Sequence, residues 1–183
     1  RNIIKLIENK IGVYAAHTNL DAANGGTNDV LAHILGLEDV KVLVPGAENG
    51  TGMGRVGELE EDITLGLFAV KVKEYLGLDA ARTVGNLSAK VKKVALCTGA
   101  GFEFIDDAIK AGCDVFITAD VRYHEAMTAV DKNIAVIDAT HYATENIIVP
   151  VLVKYVKQKL QNRGIDDVEV IGSSINGQTF VHI

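Results

Sequence analysis

Apolar residues recur at helical spacing in some stretches of this chain and bunch into short β-type runs in others. Ile3, Ile4 and Ile7, followed by Ile11, predict a short helix over residues 3–9. Gly12 to Ala16 reads as a buried strand ending in the polar His17-Thr18-Asn19-Leu20-Asp21. A helix from Asp29 to Leu35 follows, capped by Asn28 or Thr27 and closed by Gly36. Val40–Val44 reads as a strand. Leu65, Phe68, Ala69, Val72 and Leu76 form a helical stripe ending at Gly77. Arg82–Val84, Val94–Cys97 and Asp114–Thr118 read as strands, and Ile134–Ile137 is a further β-type run. A helix from about Ala143 to Leu160 presents Val149, Leu152, Val153, Val156 and Leu160 on one face, with a bend expected at Pro150. Val168–Ile171 and Gln178–Ile183 are expected as a closing hairpin, with His182 a strand residue without a role. Strands alternating with helices place the chain in the α/β class.

Chemistry concentrates where strands end. After Ile134–Ile137 comes Asp138-Ala139-Thr140-His141-Tyr142-Ala143-Thr144-Glu145. His141 and Glu145 are four apart, so one helical turn puts both on one face. An imidazole and a carboxylate there offer nitrogen and oxygen donors to Zn, Mn or Fe. The other reading is a solvated i, i+4 ion pair. His17 and Asp21 are either ligand-facing groups or turn chemistry. His124 opens a helix as an acid or base, or as a surface imidazole. Pro45 to Gly57 reads as a long loop with five glycines, and its Arg55 as an anion contact or a solvated tip. Thr98-Gly99-Ala100-Gly101 lies between a strand and a helix, where backbone amides can hold an anion or simply turn the chain. Phe104 stands where a dinucleotide fingerprint needs glycine, which excludes that cofactor site.

Composition narrows the classes. With 183 residues, 48% apolar and 23% charged, the chain folds as one domain over 1–183. The net charge is −6 and no Lys/Arg block reaches five residues, so neither a nucleic-acid track nor a basic membrane face is present. No apolar run is long enough to span a bilayer, and no signal peptide is visible. Cys97 and Cys113 form no CxxC and are expected as reduced thiols of a cytoplasmic protein. The first residue is Arg1, already in a helical pattern without a cap, so further residues are expected upstream.

Four segments together carry a resemblance. They are Ala16–Ala23 with Gly25-Gly26-Thr27-Asn28-Asp29, Gly52-Met53-Gly54-Arg55-Val56-Gly57, Thr118-Ala119-Asp120, and Asp138–Glu145. In this order they resemble the YbgI-type dinuclear metal-centre family, also called NIF-three-like, many of whose members are labelled GTP cyclohydrolase I type 2-like. The resemblance implies a NIF-three-like α/β fold with two related lobes around a metal-binding cleft. Strand, polar end and helix at Val13–Leu35 and again at Val136–Leu160 fit such a pseudo-repeat. It implies Asp21, His141 and Glu145 as metal ligands, and His17 and His124 as acid–base groups. Two divalent ions per chain (Zn, Fe or Mn) are expected in the complete protein. The family's adjacent His-His pair is absent from this sequence, so those ligands are expected before Arg1 or not at all. A metal-dependent hydrolase acting on a small molecule, with GTP as the labelled substrate, is the implied function. The alternative is a metal-binding regulatory or scaffold protein with little turnover. The resemblance also implies a homo-oligomer, a hexamer.

Overall fold

A computed structural model describes residues 1–180. In chain order the elements are α1 (Asn2–Glu8), α2 (Thr18–Ala22), α3 (Thr27–Ile34), β1 (Glu38–Pro45), β2 (Gly52–Thr64), α4 (Leu65–Tyr75), β3 (Arg82–Val84) and β4 (Lys90–Leu96). A 3-10 turn (Phe102–Phe104) then leads to α5 (Ile105–Lys110), β5 (Val115–Thr118), α6 (Tyr123–Asp131), β6 (Ala135–Asp138), α7 (His141–Asn146) and α8 (Ile148–Gln161).

The strands form one mixed sheet in the order β1-β2-β4-β5-β6-β3. Its heart is parallel: Val94, Ala95 and Leu96 pair with Val115, Phe116 and Ile117, and β5 pairs with β6 through Thr118↔Asp138. The outer pairings β1–β2, β2–β4 and β3–β6 are antiparallel. Successive side chains on a strand face opposite ways, so the parallel strands feed two cores. On one face Val94, Leu96, Val115, Ile117 and Ile137 meet Leu31, Ala32 and Leu35 near α3, and Leu65, Phe68 and Val72 of α4. On the other, Ala95, Cys97, Phe116 and Val136 meet Ile105 and Ala108 of α5 and Ala129 of α6. Burying a side chain such as Phe68 or Leu31, each essentially inaccessible to solvent, contributes about 1.5–3 kcal/mol.

Several sequence expectations change. Among the described residues Gly12–Ala16 pairs with no strand, and Val13 and Tyr14 are exposed. An apolar run predicts a strand only if a partner edge exists to receive it. The glycine-rich stretch is mostly strand: only 46–51 is loop, and Gly52, Gly54 and Gly57 lie in β2. Gly54 has φ +64, and a Cβ there would stand 2.8 Å from the Leu96 carbonyl, so glycine here serves close strand approach. The helix expected from Asp29 begins at Thr27, with Asn28 inside it. It ends as expected at Gly36, where Gly36 N donates to His33 O and Leu37 N to Ala32 O.

The helix expected over 143–160 is two helices, α7 and α8. Pro150 lacks the N–H that would bond to Asn146, and the break falls at Ile147. Val168–Ile171 is not a strand, and Val168 and Ile171 are exposed. Residues 178–180 are likewise irregular, while 181–183, with His182, lie outside the described residues. The described strands form a single sheet, and the first half of the pseudo-repeat has no strand at Gly12–Ala16 among the described residues.

Candidate functional site

Three parallel strands end side by side at Leu96, Thr118 and Asp138, and the chain's polar chemistry collects there. Carboxyl ends of parallel strands are where open α/β sheets place ligands. Asp138 is buried and braces the region. Its Oδ1 accepts from Thr140 N (3.2 Å), its Oδ2 accepts from Val121 N (3.0 Å), and it pairs with Arg82. Thr140 then turns the chain at φ +63 into α7. Among the described residues its buried Oγ1 has no hydrogen-bond partner, and Thr140 lines the larger cavity at the site.

The first turns of α7 carry His141 and Glu145 on one face, 3.0 Å apart from Nε2 to Oε1. Nδ1 of the same imidazole lies 2.6 Å from Asp120 Oδ2. Burial works against protonating His141, but the Asp120 hydrogen bond and the charges of Glu145 and Asp120 outweigh it and raise its pKa above the ordinary 6.5. Thr144, on the same helix, accepts from Gly99 N (3.1 Å) and so locks α7 to the end of β4. Gly99 sits at φ +65, and a Cβ there would come within 2.6 Å of Glu145 Oε1. Only glycine leaves that carboxylate its place.

Asp21 reaches the site from α2, where it is the one buried residue among those described. Asn28 anchors it: Nδ2 donates to Asp21 O (3.0 Å), and Oδ1 accepts from Thr98 N (2.9 Å). This bridge, not helix capping, is the work of Asn28. His17, Asp21, Tyr142 and Glu145 line a cavity of about 270 Å³. Asp120, Asp138, His141, Tyr142 and Glu145 border a second of about 580 Å³, which Arg82 and Phe180 also line. Glu145 belongs to both. His124 lies exposed on the first turn of α6 and lines neither. Among the described residues, no three His, Cys, Asp and Glu side chains converge on one point.

Arg55 departs from both of its sequence readings. It is 1% exposed, pairs with Asp29, and donates through Nη1 to Gly52 O and Gly54 O (2.8 Å each). Strand pairing carries it inward, so it is neither an anion contact nor a loop tip. The Gly99–Gly101 turn is closed internally: Gly101 N donates to Thr118 Oγ1 (2.9 Å), and Thr118 Oγ1 donates to Gly99 O (3.1 Å). In the sequence Asp120 stands at a strand end and in the Thr118-Ala119-Asp120 segment of the resemblance, with no role assigned to it. Its partner is 21 residues away, and the signal that joins them is the β5–β6 register.

The family model Duf34/NIF3 (NGG1p interacting factor 3) matches residues 1–178. The chain belongs to that family. Relatives named GTP cyclohydrolase 1 type 2 homolog include those of Clostridium acetobutylicum, 39% identical over 91% of this chain, and Clostridium perfringens, 37% identical over 94%. The chain spans 63% and 65% of the length of these two relatives. Among family structures, a Bacillus cereus protein related to NIF3 superposes with TM-score 0.90 at 25% identity, covering 99% of this chain and 76% of that one. The protein ybgI, described as of unknown function, superposes with TM-score 0.73 at 30% identity over 84% of this chain and 60% of that one. No helix among the described residues is long and apolar enough to cross a membrane.

Proposed function

We propose that this chain carries metal-binding residues of a metal-dependent hydrolase acting on a small molecule, with GTP the first substrate to test. The observation that carries the reading is the pair His141 Nε2 and Glu145 Oε1, 3.0 Å apart at the end of β6. Two donors bound to one cation at about 2.0–2.2 Å lie about 2.8–3.6 Å apart in octahedral or tetrahedral geometry. The pair fits one edge of such a sphere, and its N/O chemistry suits Zn, Fe or Mn. Asp21, lining the same cavity as Glu145, is the third ligand in this reading, and a carboxylate can bridge a second cation. A bound metal would supply Lewis acidity toward a carbonyl or phosphoryl oxygen.

The chain's own groups do the rest. His17, in the Asp21–Glu145 cavity, holds or passes a proton at its imidazole. His124, away from both cavities, has no part in this version of the reading. The larger cavity gives a nucleotide an aromatic wall at Tyr142 and Phe180 and a cation at Arg82. A cytoplasmic location and a hexameric assembly belong to the same proposal. The exposed Ile3, Ile4 and Ile7 of α1 also support a second reading, a metal-binding scaffold whose work is interaction.

The decisive experiment assays the protein loaded with Zn, Mn or Fe on GTP and on a panel of phosphoesters, beside Asp21→Asn. Turnover that depends on metal and falls with Asp21→Asn is expected. Metal uptake without turnover on any substrate would transfer the argument to the scaffold reading.

A further inference from the structure

We propose that Asp120 is the positioning residue of this centre: its carboxylate accepts the Nδ1–H of His141, which fixes the ring's tautomer and leaves the Nε2 lone pair facing Glu145. The inference rests on the metal reading above and adds to it the group that orients its imidazole.

Geometry carries the argument. One imidazole has two nitrogens, and here each faces a different carboxylate: Nδ1 lies 2.6 Å from Asp120 Oδ2, and Nε2 lies 3.0 Å from Glu145 Oε1. A neutral ring has one N–H to give. The shorter contact, from Asp120, takes it, so the lone pair stands at Nε2 beside the Glu145 oxygen. A cation-binding imidazole needs this arrangement: one nitrogen tied down by a hydrogen bond, the other bare.

Asp120 has no competing structural duty. Among the described residues, its side chain bonds only to His141 and is 51% exposed. Its counterpart one strand over, Asp138, braces two backbone amides and Arg82 instead. Both strand ends bend through the left-handed region to bring the pair together, Asp120 at φ +56 and Thr140 at φ +63. Aspartate tolerates that backbone well, whereas β-branched threonine is an outlier there. Two successive parallel strands thus turn their ends so that a carboxylate from one meets a ring from the other.

Chelator competition for Zn or Co would be measured for the parent, Asp120→Ala, Asp120→Asn and His141→Ala. The tautomer of His141 would be read from ¹⁵N shifts of the metal-free protein at alkaline pH, with His141→Ala assigning the signal. Asp120→Ala should weaken binding by about 10–100-fold, and Asp120→Asn, which keeps an acceptor, should weaken it less. The Nδ1–H signature should be lost in Asp120→Ala while the metal-free protein stays folded, with a melting temperature about 2–4 °C below the parent's, the cost of alanine at a left-handed position. Parental affinity and an unchanged tautomer in Asp120→Ala, with His141→Ala still losing metal, would overturn the role of Asp120 and leave the metal reading standing. Parental affinity in His141→Ala would overturn the metal reading and this inference with it.

Discussion

Arg55 and His141 each stand between acceptors, yet the two clusters are put to opposite uses. The Arg55 guanidinium is 1% exposed, and its bonds go to Asp29 and to the carbonyls of Ala23, Gly52 and Gly54. All of those bonds are internal. The His141, Asp120 and Glu145 side chains are 46%, 51% and 40% exposed. Among the described residues, their carboxylates keep lone pairs that no other group uses. A buried charge must be fully satisfied within the fold or it destabilises it. A half-exposed cluster at strand ends is under no such demand, and its spare capacity is available to a ligand.

The sharpest way to break the comparison is to remove the buried cation. Arg55→Met keeps an unbranched apolar chain but deletes every side-chain N–H, taking this donor from two buried carbonyls and leaving Asp29 with the Gly25 N–H. The expected loss is about 3 kcal/mol, the lower end for one partner of a buried pair, because Asp29 is 26% exposed and can recruit water. Urea unfolding measures it. A loss below about 1 kcal/mol would mean that Arg55 behaves as a surface group, and the contrast between the clusters would fail.

The same contrast explains what could be read from the sequence. The stripe of α4 and the apolar runs of β4, β5 and β6 were legible because both signals are local: period 3.6 for one, bounded apolar runs for the other. Arg55 was not legible, because glycines that usually mark a loop here serve a strand pressed against Leu96. The runs at Gly12–Ala16 and Val168–Ile171 misled in the opposite direction, since apolarity cannot say whether a neighbouring edge is present. At the site, His141 and Glu145 share one helical turn and were paired by spacing alone. Asp21 and His17 stand out as polar groups before a glycine turn, the resemblance supplied their roles, and the fold brings them to the cavity that Glu145 lines. Asp120 against His141 needs the register of two parallel strands, which no local pattern encodes.

Two carboxylates, Glu145 inside the open cluster and Glu125 outside it, separate a ligand from a charge that merely lies on a nearby helix. Glu145→Ala should lower metal affinity by about tenfold or more, and Glu125→Ala should leave it alone. Glu125 accepts the Arg122 N–H (2.8 Å) and pairs with that guanidinium, which pulls its pKa below the ordinary range. Equal losses would show that the effect is charge in general. Gly99→Ala sharpens the point without removing a donor. Its methyl would displace Glu145 Oε1, and the left-handed backbone would cost about 1–2 kcal/mol of stability. Affinity should fall with every proposed ligand intact; parental affinity would show that Glu145 can act from another position.

The smallest expected effect comes from Cys97, a buried thiol that feels both clusters. Burial first, then the charges of Asp21 and Glu103, push its pKa from 9.0 up to about 12, against a lowering by Gly54 and Arg55. The folded state therefore favours the neutral thiol. That contribution to stability is complete below pH 9.0 and is lost as pH rises from there through about 12. Cys97→Ala removes this titration, while Cys113 and the other groups remain in both proteins and largely cancel. Relative to its value at neutral pH, the stability of the parent should fall against Cys97→Ala by about 1 kcal/mol near pH 9.5, read from urea midpoints. A parent and a Cys97→Ala protein with parallel pH profiles would show that the thiol titrates as if exposed, and that the end of β4 is wetter than the packing around Cys97 implies.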